Sequence, residues 1–156
     1  LGQQGLHLVG HSAGAHMAAL VALDPGYLAE TGLQTTDIAS VSGLAGPYAM
    51  YPSKIDFIAD IFPTQNGEDA ARPVTFARAE APPMLLLHGA ADALVAPENS
   101  LNLAAAQTNK GSPARARIYE KLGNKEIVVA LSTPFRGLAP VVEDVSGFIR
   151  ASHLAA

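Results

Sequence analysis

The feature that most constrains the fold is an apolar run that turns at once into a helix-forming run. Residues 6–9 form a short strand-like stretch that ends at Gly10. Residues 12–23 follow, rich in alanine, leucine and methionine at helical spacing. Because a strand and a helix can meet so closely only where side chains are small, the sequence predicts a strand, a sharp turn and a packed helix.

The same alternation continues along the chain. Further strands are predicted at residues 38–43, 84–88 and 114–119, and further helices at residues 97–108 and 141–152. This order is typical of a parallel α/β sheet with helices on both faces. Residues 48–83 interrupt it with scattered prolines and mixed polarity, so we predict a cap-like excursion there, within a single domain covering residues 1–156.

Composition narrows the class of protein. The 156 residues are 49% hydrophobic and 15% charged, which suits one buried core. A net charge of −4 and scattered basic residues argue against a nucleic-acid partner. No apolar run approaches the roughly 20 residues that cross a bilayer, so no membrane span is predicted. The absence of cysteine excludes disulfides and thiol nucleophiles.

A five-residue motif at the first turn is the first candidate for chemistry. Gly10-His11-Ser12-Ala13-Gly14 matches the G-x-S-x-G nucleophile elbow, in which a strained turn projects a serine hydroxyl. The glycines let strand and helix approach, and the positive end of the helix faces the site. Ser12 is therefore the candidate nucleophile, and the backbone N–H of Ala13 is the candidate oxyanion donor. A glycine-rich turn formed for packing alone is the alternative.

A serine nucleophile needs a base and a carboxylate to orient that base, in the chain order serine, acid, histidine for this motif. Asp92 follows the predicted strand at residues 84–88, which places it at the carboxyl edge of the sheet, where sites of open α/β sheets lie. The alternative is an aspartate that only shapes a turn or caps a helix. The base is expected in the turn at residues 120–126, which contains no histidine.

Four segments, taken in order, carry a family resemblance. They are His-Ser-Ala-Gly-Ala-His at 11–16, Gly-Leu-Ala-Gly-Pro-Tyr at 43–48, Leu-Leu-Leu-His-Gly-Ala-Ala-Asp at 85–92 and Pro-Phe-Arg-Gly-Leu-Ala-Pro at 134–140. Together they resemble bacterial carboxylesterases and lipase-like enzymes of the α/β-hydrolase superfamily. The resemblance implies hydrolysis of a small-molecule ester through an acyl-enzyme, without a cofactor.

The resemblance also locates the base. Family members have Gly-His where this chain has Gly123-Asn124, so Asn124 stands at the position of the catalytic histidine. A neutral asparagine cannot accept a proton near pH 7, so turnover is expected to be impaired. Three explanations stay open: a natural, non-catalytic ligand-binding pseudo-hydrolase, an inactivating substitution, or an error in the sequence. Ala49, where the family usually has aspartate, carries no predicted consequence.

The family's first strands and its His-Gly-Gly oxyanion segment precede the nucleophile strand. The resemblance therefore implies the C-terminal half of an α/β-hydrolase fold, with the N-terminal strands missing from this chain. Without those strands, the strand at residues 6–9 would expose an apolar edge. We expect the missing N-terminal half to be a separate chain, or the sequence to be a fragment.

The other histidines are poorer candidates for the base. His16 lies one helical turn after Ser12 and is expected to be held too deep by packing, and His88 is expected at a strand end beneath the site. No histidine is spaced with a carboxylate as metal ligands are, so no metal site is predicted.

Overall fold

A computed structural model of the chain describes residues 5–51 and 67–155. Within them, four parallel strands form one sheet in the order β1 (Leu6–His11), β2 (Ile38–Leu44), β3 (Met84–Gly89) and β4 (Ala114–Tyr119). The α-helices of the same residues are α1 (Ala13–Leu23), α2 (Glu98–Asn109), α3 (Asn124–Val129) and α4 (Val141–Ala155). Short 3₁₀ helices lie at Pro25–Leu28, Thr35–Asp37, Glu68–Ala71, Pro73–Phe76 and Thr133–Leu138.

Helices cover both faces of the sheet, as the alternation of strands and helices predicts. Every residue of β3 is buried, because the strand lies between two helical layers. Met84 and Leu86 pack with α1 and α2 on one face, whereas Leu85 and Leu87 pack with α3 and α4 on the other. The predicted parallel α/β fold is thus confirmed, and all four strands lie where the sequence places them.

One helix was not expected. Residues 120–126 are predicted as a turn, but helix α3 begins inside that stretch, at Asn124. Two features favour the helix. A carboxylate oxygen of Glu126 accepts a hydrogen bond from the N–H of Gly123 at 3.1 Å, and the side chain of Ile127 is fully buried. Such a side-chain contact across the first turn satisfies an amide that has no partner inside a helix.

The outer edge of β1 exposes apolar side chains, as the sequence predicts. Among the described residues β1 pairs with β2 alone. Leu6 and Val9 of this strand are 39% and 48% exposed, and Met17 on the neighbouring helix is 64% exposed. In folded proteins, exposed strand edges and apolar patches of this kind are normally covered by another element or a partner.

The proposed cap at residues 48–83 is described only in part, because residues 52–66 lie outside the described residues. Tyr48, at its start, is fully buried in the core. The Tyr48 side chain lies so close to the backbone that a Cβ added at Gly43 would fall 1.9 Å from its hydroxyl, and one at Gly46 would fall 2.3 Å from its ring. The cap itself remains a prediction.

Among the helices of residues 5–51 and 67–155, none has the length and hydrophobicity of a membrane-spanning segment.

Candidate active site

Ser12 has the strained backbone that the elbow motif predicts. It follows β1 directly and precedes α1, with φ of 52° and ψ of −117°. A non-glycine residue with positive φ costs on the order of 1–3 kcal/mol and persists only where its surroundings hold it. Here the Ser12 N–H donates to the carbonyl of Leu44 at the end of β2, at 2.8 Å. The turn is therefore fixed to the neighbouring strand, and Ser12 stays partly exposed at the carboxyl edge of the sheet.

The two glycines of the motif have different roles. A Cβ on Gly10 would lie 2.4 Å from the carbonyl oxygen of Gly14, so no side chain fits between β1 and the first turn of α1. This confirms the close approach predicted for the turn. At Gly14 a Cβ would meet no described atom within 4 Å, so packing against the described residues does not explain that glycine.

The amino-terminal end of α1 can stabilise a negative charge. Ala13 is the first residue of the helix, and the first amides of a helix have no acceptor within it. No acidic residue lies in the first turn, so the positive end of the helix dipole is not offset there. These properties suit the oxyanion role predicted for the Ala13 N–H.

Asp92 lies in the loop after β3 with its side chain completely buried. Its Oδ1 accepts the backbone N–H groups of Leu94 and Val95, each at 2.9 Å. Asp92 thus shapes a turn, which is the alternative to a catalytic role, but the turn uses only one of its two carboxylate oxygens. Oδ2 remains for other partners.

Two side chains meet Oδ2 of Asp92. The amide Nδ2 of Asn124 donates to it at 2.8 Å, and Nε2 of His88 lies 3.2 Å away. His88 Nε2 also lies 2.9 Å from the carbonyl of Val95, which can only accept, so this nitrogen carries the proton. The hydroxyl of Ser100 lies 2.8 Å from the other ring nitrogen. A network of hydrogen bonds therefore orients the buried carboxylate.

His88 is fully buried at the end of β3, beneath the site, as expected. Its contact with Asp92 was not anticipated, although the spacing of four residues across a strand end and a tight loop was a usable signal. A second contact was also missed. The ring of His11, just before Ser12, places Nε2 2.7 Å from the backbone carbonyl of Asn124. The segment bearing Ser12 and the segment bearing Asn124 are thus in direct contact.

His16 is engaged elsewhere, as the sequence leads us to expect. Its Nε2 donates to the carbonyl of Ala71 at 2.6 Å, and burial lowers the pKa of the imidazole below its usual value. At the other end of β1, His7 bonds to Ser40 on β2 and its ring lies 6.2 Å from that of His153. Residues 5–51 and 67–155 contain no cluster of three or more metal-binding side chains.

A cavity of about 490 Å³ lies away from this site. Met84 and Ala114, the first residues of β3 and β4, line it together with Phe148. It therefore opens at the amino-terminal edge of the strands, opposite Ser12 and Asp92, and offers no room for a substrate next to the elbow.

Comparison with known sequences identifies a family and a relative. The model of the family described as BD-FAE matches residues 1–106, more than half of the chain. Esterase LipQ of Mycobacterium tuberculosis (strain ATCC 25618 / H37Rv) is 29% identical over 168 residues, which cover 96% of this chain and 39% of the relative.

Solved structures match as well. A truncated form of a carbohydrate esterase from gut microbiota gives a TM-score of 0.75 at 17% identity, covering 96% of this chain and 60% of the other. The native esterase Est2 of Thermogutta terrifontis gives 0.69 at 19% identity, covering 92% of this chain and 53% of the other. At these identities the likeness supports the α/β-hydrolase fold. The chain spans less than two thirds of the length of each relative named here.

Proposed function

Because the chain belongs to the BD-FAE family and has an esterase-type α/β-hydrolase fold, we propose that it carries the nucleophile and the acid of a serine hydrolase for carboxylic esters. Ser12 is the nucleophile, Asp92 orients the base, and the Ala13 N–H is an oxyanion donor. Asn124 stands where the base belongs, so turnover is impaired.

One observation carries the proposal: the 2.8 Å hydrogen bond from Asn124 Nδ2 to Asp92 Oδ2. In a serine, histidine and aspartate triad, the carboxylate accepts the N–H of the imidazole and fixes its orientation. The amide N–H of Asn124 makes the equivalent contact. Residue 124 therefore has the relation to Asp92 that a triad requires, although its side chain is not a base.

With histidine at position 124 the reaction would follow ordinary acyl transfer. The imidazole takes the proton of Ser12 as Oγ forms a bond to the ester carbonyl carbon, and the carbonyl oxygen becomes an oxyanion near the Ala13 N–H. The intermediate collapses as the C–O bond of the alcohol breaks, and the imidazole returns the proton to that alcohol. Water then releases the acid by the same steps, which regenerates Ser12.

Asparagine stops this sequence at the first proton transfer. Its amide nitrogen has no basic lone pair near neutral pH, so the serine hydroxyl stays protonated. Removal of the histidine from a serine triad lowers kcat by a factor on the order of 10⁶, while an oxyanion hole and substrate binding retain roughly 10³ to 10⁴ over water. We therefore expect hydrolysis by the chain with Asn124 to be very slow.

The test is Asn124→His in the complete protein, assayed on a short-chain aryl ester. We expect kcat/KM to rise at least 100-fold. Asn124→Gln is the matched control, because it adds length without adding a base, and it should give no gain. If Asn124→His leaves hydrolysis at the level of the control, the assignment of residue 124 as the base position is wrong.

A second candidate is a non-catalytic ligand-binding module. It is favoured by the fact that both oxygens of Asp92 already accept hydrogen bonds although residue 124 is not a base. A fluorophosphonate distinguishes the two functions: covalent labelling that disappears in Ser12→Ala indicates a reactive serine. Saturable binding of an apolar ester analogue, without labelling or turnover, indicates the binding module.

We also propose that further strands, supplied by the missing N-terminal half of the fold, cover the open edge of β1 and complete the oxyanion site. The exposure of Leu6, Val9 and Met17 supports this proposal. A separate polypeptide could provide them. The 156 residues alone should then self-associate or melt without cooperativity. A monomer that melts cooperatively in sedimentation and thermal measurements would contradict the proposal.

The ester remains a small molecule in this proposal, and residues 48–83 act as its cap. Exchange of this segment for that of a related esterase should change acyl-chain preference in the Asn124→His background. Unchanged preference would contradict the cap.

A further inference from the structure

His11 links two parts of the site that are far apart in sequence. It is the last residue of β1, directly before Ser12, and its ring Nε2 lies 2.7 Å from the backbone carbonyl of Asn124, 113 residues later. A carbonyl oxygen can only accept, so the ring must carry a hydrogen on Nε2 and donate it. The donor sits on the strand that bears the nucleophile, and the acceptor sits on the residue at the base position.

Residue 124 is consequently held at two points. Its side chain is held by Asp92 Oδ2 at 2.8 Å, and its main chain is held by His11. Asp92 is itself fixed through the N–H groups of Leu94 and Val95. Other bonds also hold this turn, since the Ala91 N–H donates to the carbonyl of Leu122 at 3.0 Å and the Ile127 N–H donates to that of Gly123 at 3.3 Å. The His11 bond ties the turn to the strand that bears Ser12. Without it, the main chain of residue 124 could shift relative to Ser12 and draw its side chain away from Asp92.

We propose that His11 is a positioning residue that sets the main chain of residue 124 relative to Ser12 by donating from Nε2 to its carbonyl. This inference rests on the proposed function, because the distance matters only if residue 124 serves as the base. A displacement of about 1 Å in a reacting geometry can cost on the order of 100-fold in rate. His11 would therefore influence catalysis without touching the substrate.

The experiment uses the complete protein with Asn124→His as the parent. His11→Gln keeps an N–H donor at similar reach, whereas His11→Met keeps the bulk and removes the donor. His7→Met is the matched control: it removes a histidine from the same strand four residues earlier, about 13 Å from His11.

We expect His11→Met to lower kcat 10- to 100-fold with KM changed less than twofold. The acidic limb of its kcat/KM profile should move to lower pH, because an imidazole displaced from Asp92 loses the carboxylate that favours its protonated form. His11→Gln should stay within about threefold of the parent, and His7→Met should match the parent. Equal rates for His11→Met and the parent, or equal losses for the methionine and glutamine variants, would overturn the proposal.

Two measurements do not depend on activity. Nitrogen-15 NMR of the unsubstituted protein should find the His11 proton on Nε2, and a proton on Nδ1 alone would overturn the proposal. Hydrogen exchange at residues 123–127 should quicken in His11→Met and not in His11→Gln, and no difference between them would also overturn it. If the Asn124→His parent is inactive while these two results hold, the proposed function fails and the positioning contact stands.

Discussion

The substitution Gly10→Ala tests the geometry of the nucleophile turn most directly. A Cβ at this position would lie 2.4 Å from the carbonyl oxygen of Gly14, 2.5 Å from its carbonyl carbon and 2.7 Å from the nitrogen of Ala15. All three are backbone atoms in the first turn of α1, where the Ala15 N–H donates to the Ser12 carbonyl at 3.0 Å. The clash therefore cannot be relieved by the rotation of a side chain, and the backbone itself must shift.

The size of the effect follows from that contact. Restoring an ordinary separation of about 3.5 Å requires α1 to move by roughly 1 Å away from β1. Overpacking of this kind costs about 1–3 kcal/mol, and a backbone clash belongs at the upper end. For a domain of this size about 3 kcal/mol corresponds to a decrease in Tm of roughly 6–12 °C.

Gly147→Ala is the matched control. Gly147 lies inside α4, and a Cβ there would meet no described atom within 4 Å. Both variants exchange glycine for alanine and so change the unfolded chain alike. The control should gain about 0.5–1 kcal/mol from helix propensity. Urea unfolding and thermal melts of the complete protein, followed by circular dichroism, measure both. A Gly10→Ala midpoint equal to that of the parent, or an equal loss in Gly147→Ala, would refute the reasoning.

Three further predictions concern stability and pH. Glu80 is exposed with φ of 58°, so Glu80→Gly should raise the free energy of unfolding by about 0.5–1 kcal/mol in urea titrations. Because burial lowers the pKa of His16, its imidazole is protonated below about pH 6.5 in the unfolded chain but stays neutral in the folded chain. Stability should therefore fall between pH 7.5 and 5.5, and His16→Gln should reduce that fall in urea midpoints. Asp144 receives hydrogen bonds from Arg117 and from the hydroxyl of Tyr119, whose pKa is raised by burial and by this carboxylate. Asp144→Asn should lower the pKa of Tyr119 in an ultraviolet titration.

Much of the fold could be predicted because its signals are local. The apolar residues of β3 and the helix-forming run after Ser12 each predict their element from a few neighbouring residues. Asp92 could be located for the same reason, since the carboxyl end of a buried parallel strand fixes where the next loop lies.

The parts that were missed depend on tertiary contacts. The bond between His11 and Asn124 joins segments 113 residues apart, and no spacing rule reaches that far. Helix α3 depends on the burial of Ile127 against the sheet, which a short turn-like sequence does not reveal. Ala45 adopts φ of 52° at the end of β2, although alanine gives no signal for that conformation.

The packing of Tyr48 against Gly43 and Gly46 restricts how this segment can evolve. A methyl group added at Gly43 collides with the Tyr48 hydroxyl and one added at Gly46 collides with the ring, so neither glycine can be replaced while the tyrosine is present. Removal of the fully buried ring first leaves a cavity, at a cost of about 3–5 kcal/mol. Whichever residue is replaced first, the intermediate protein is destabilised. Residues 43, 46 and 48 should therefore change together or stay as they are.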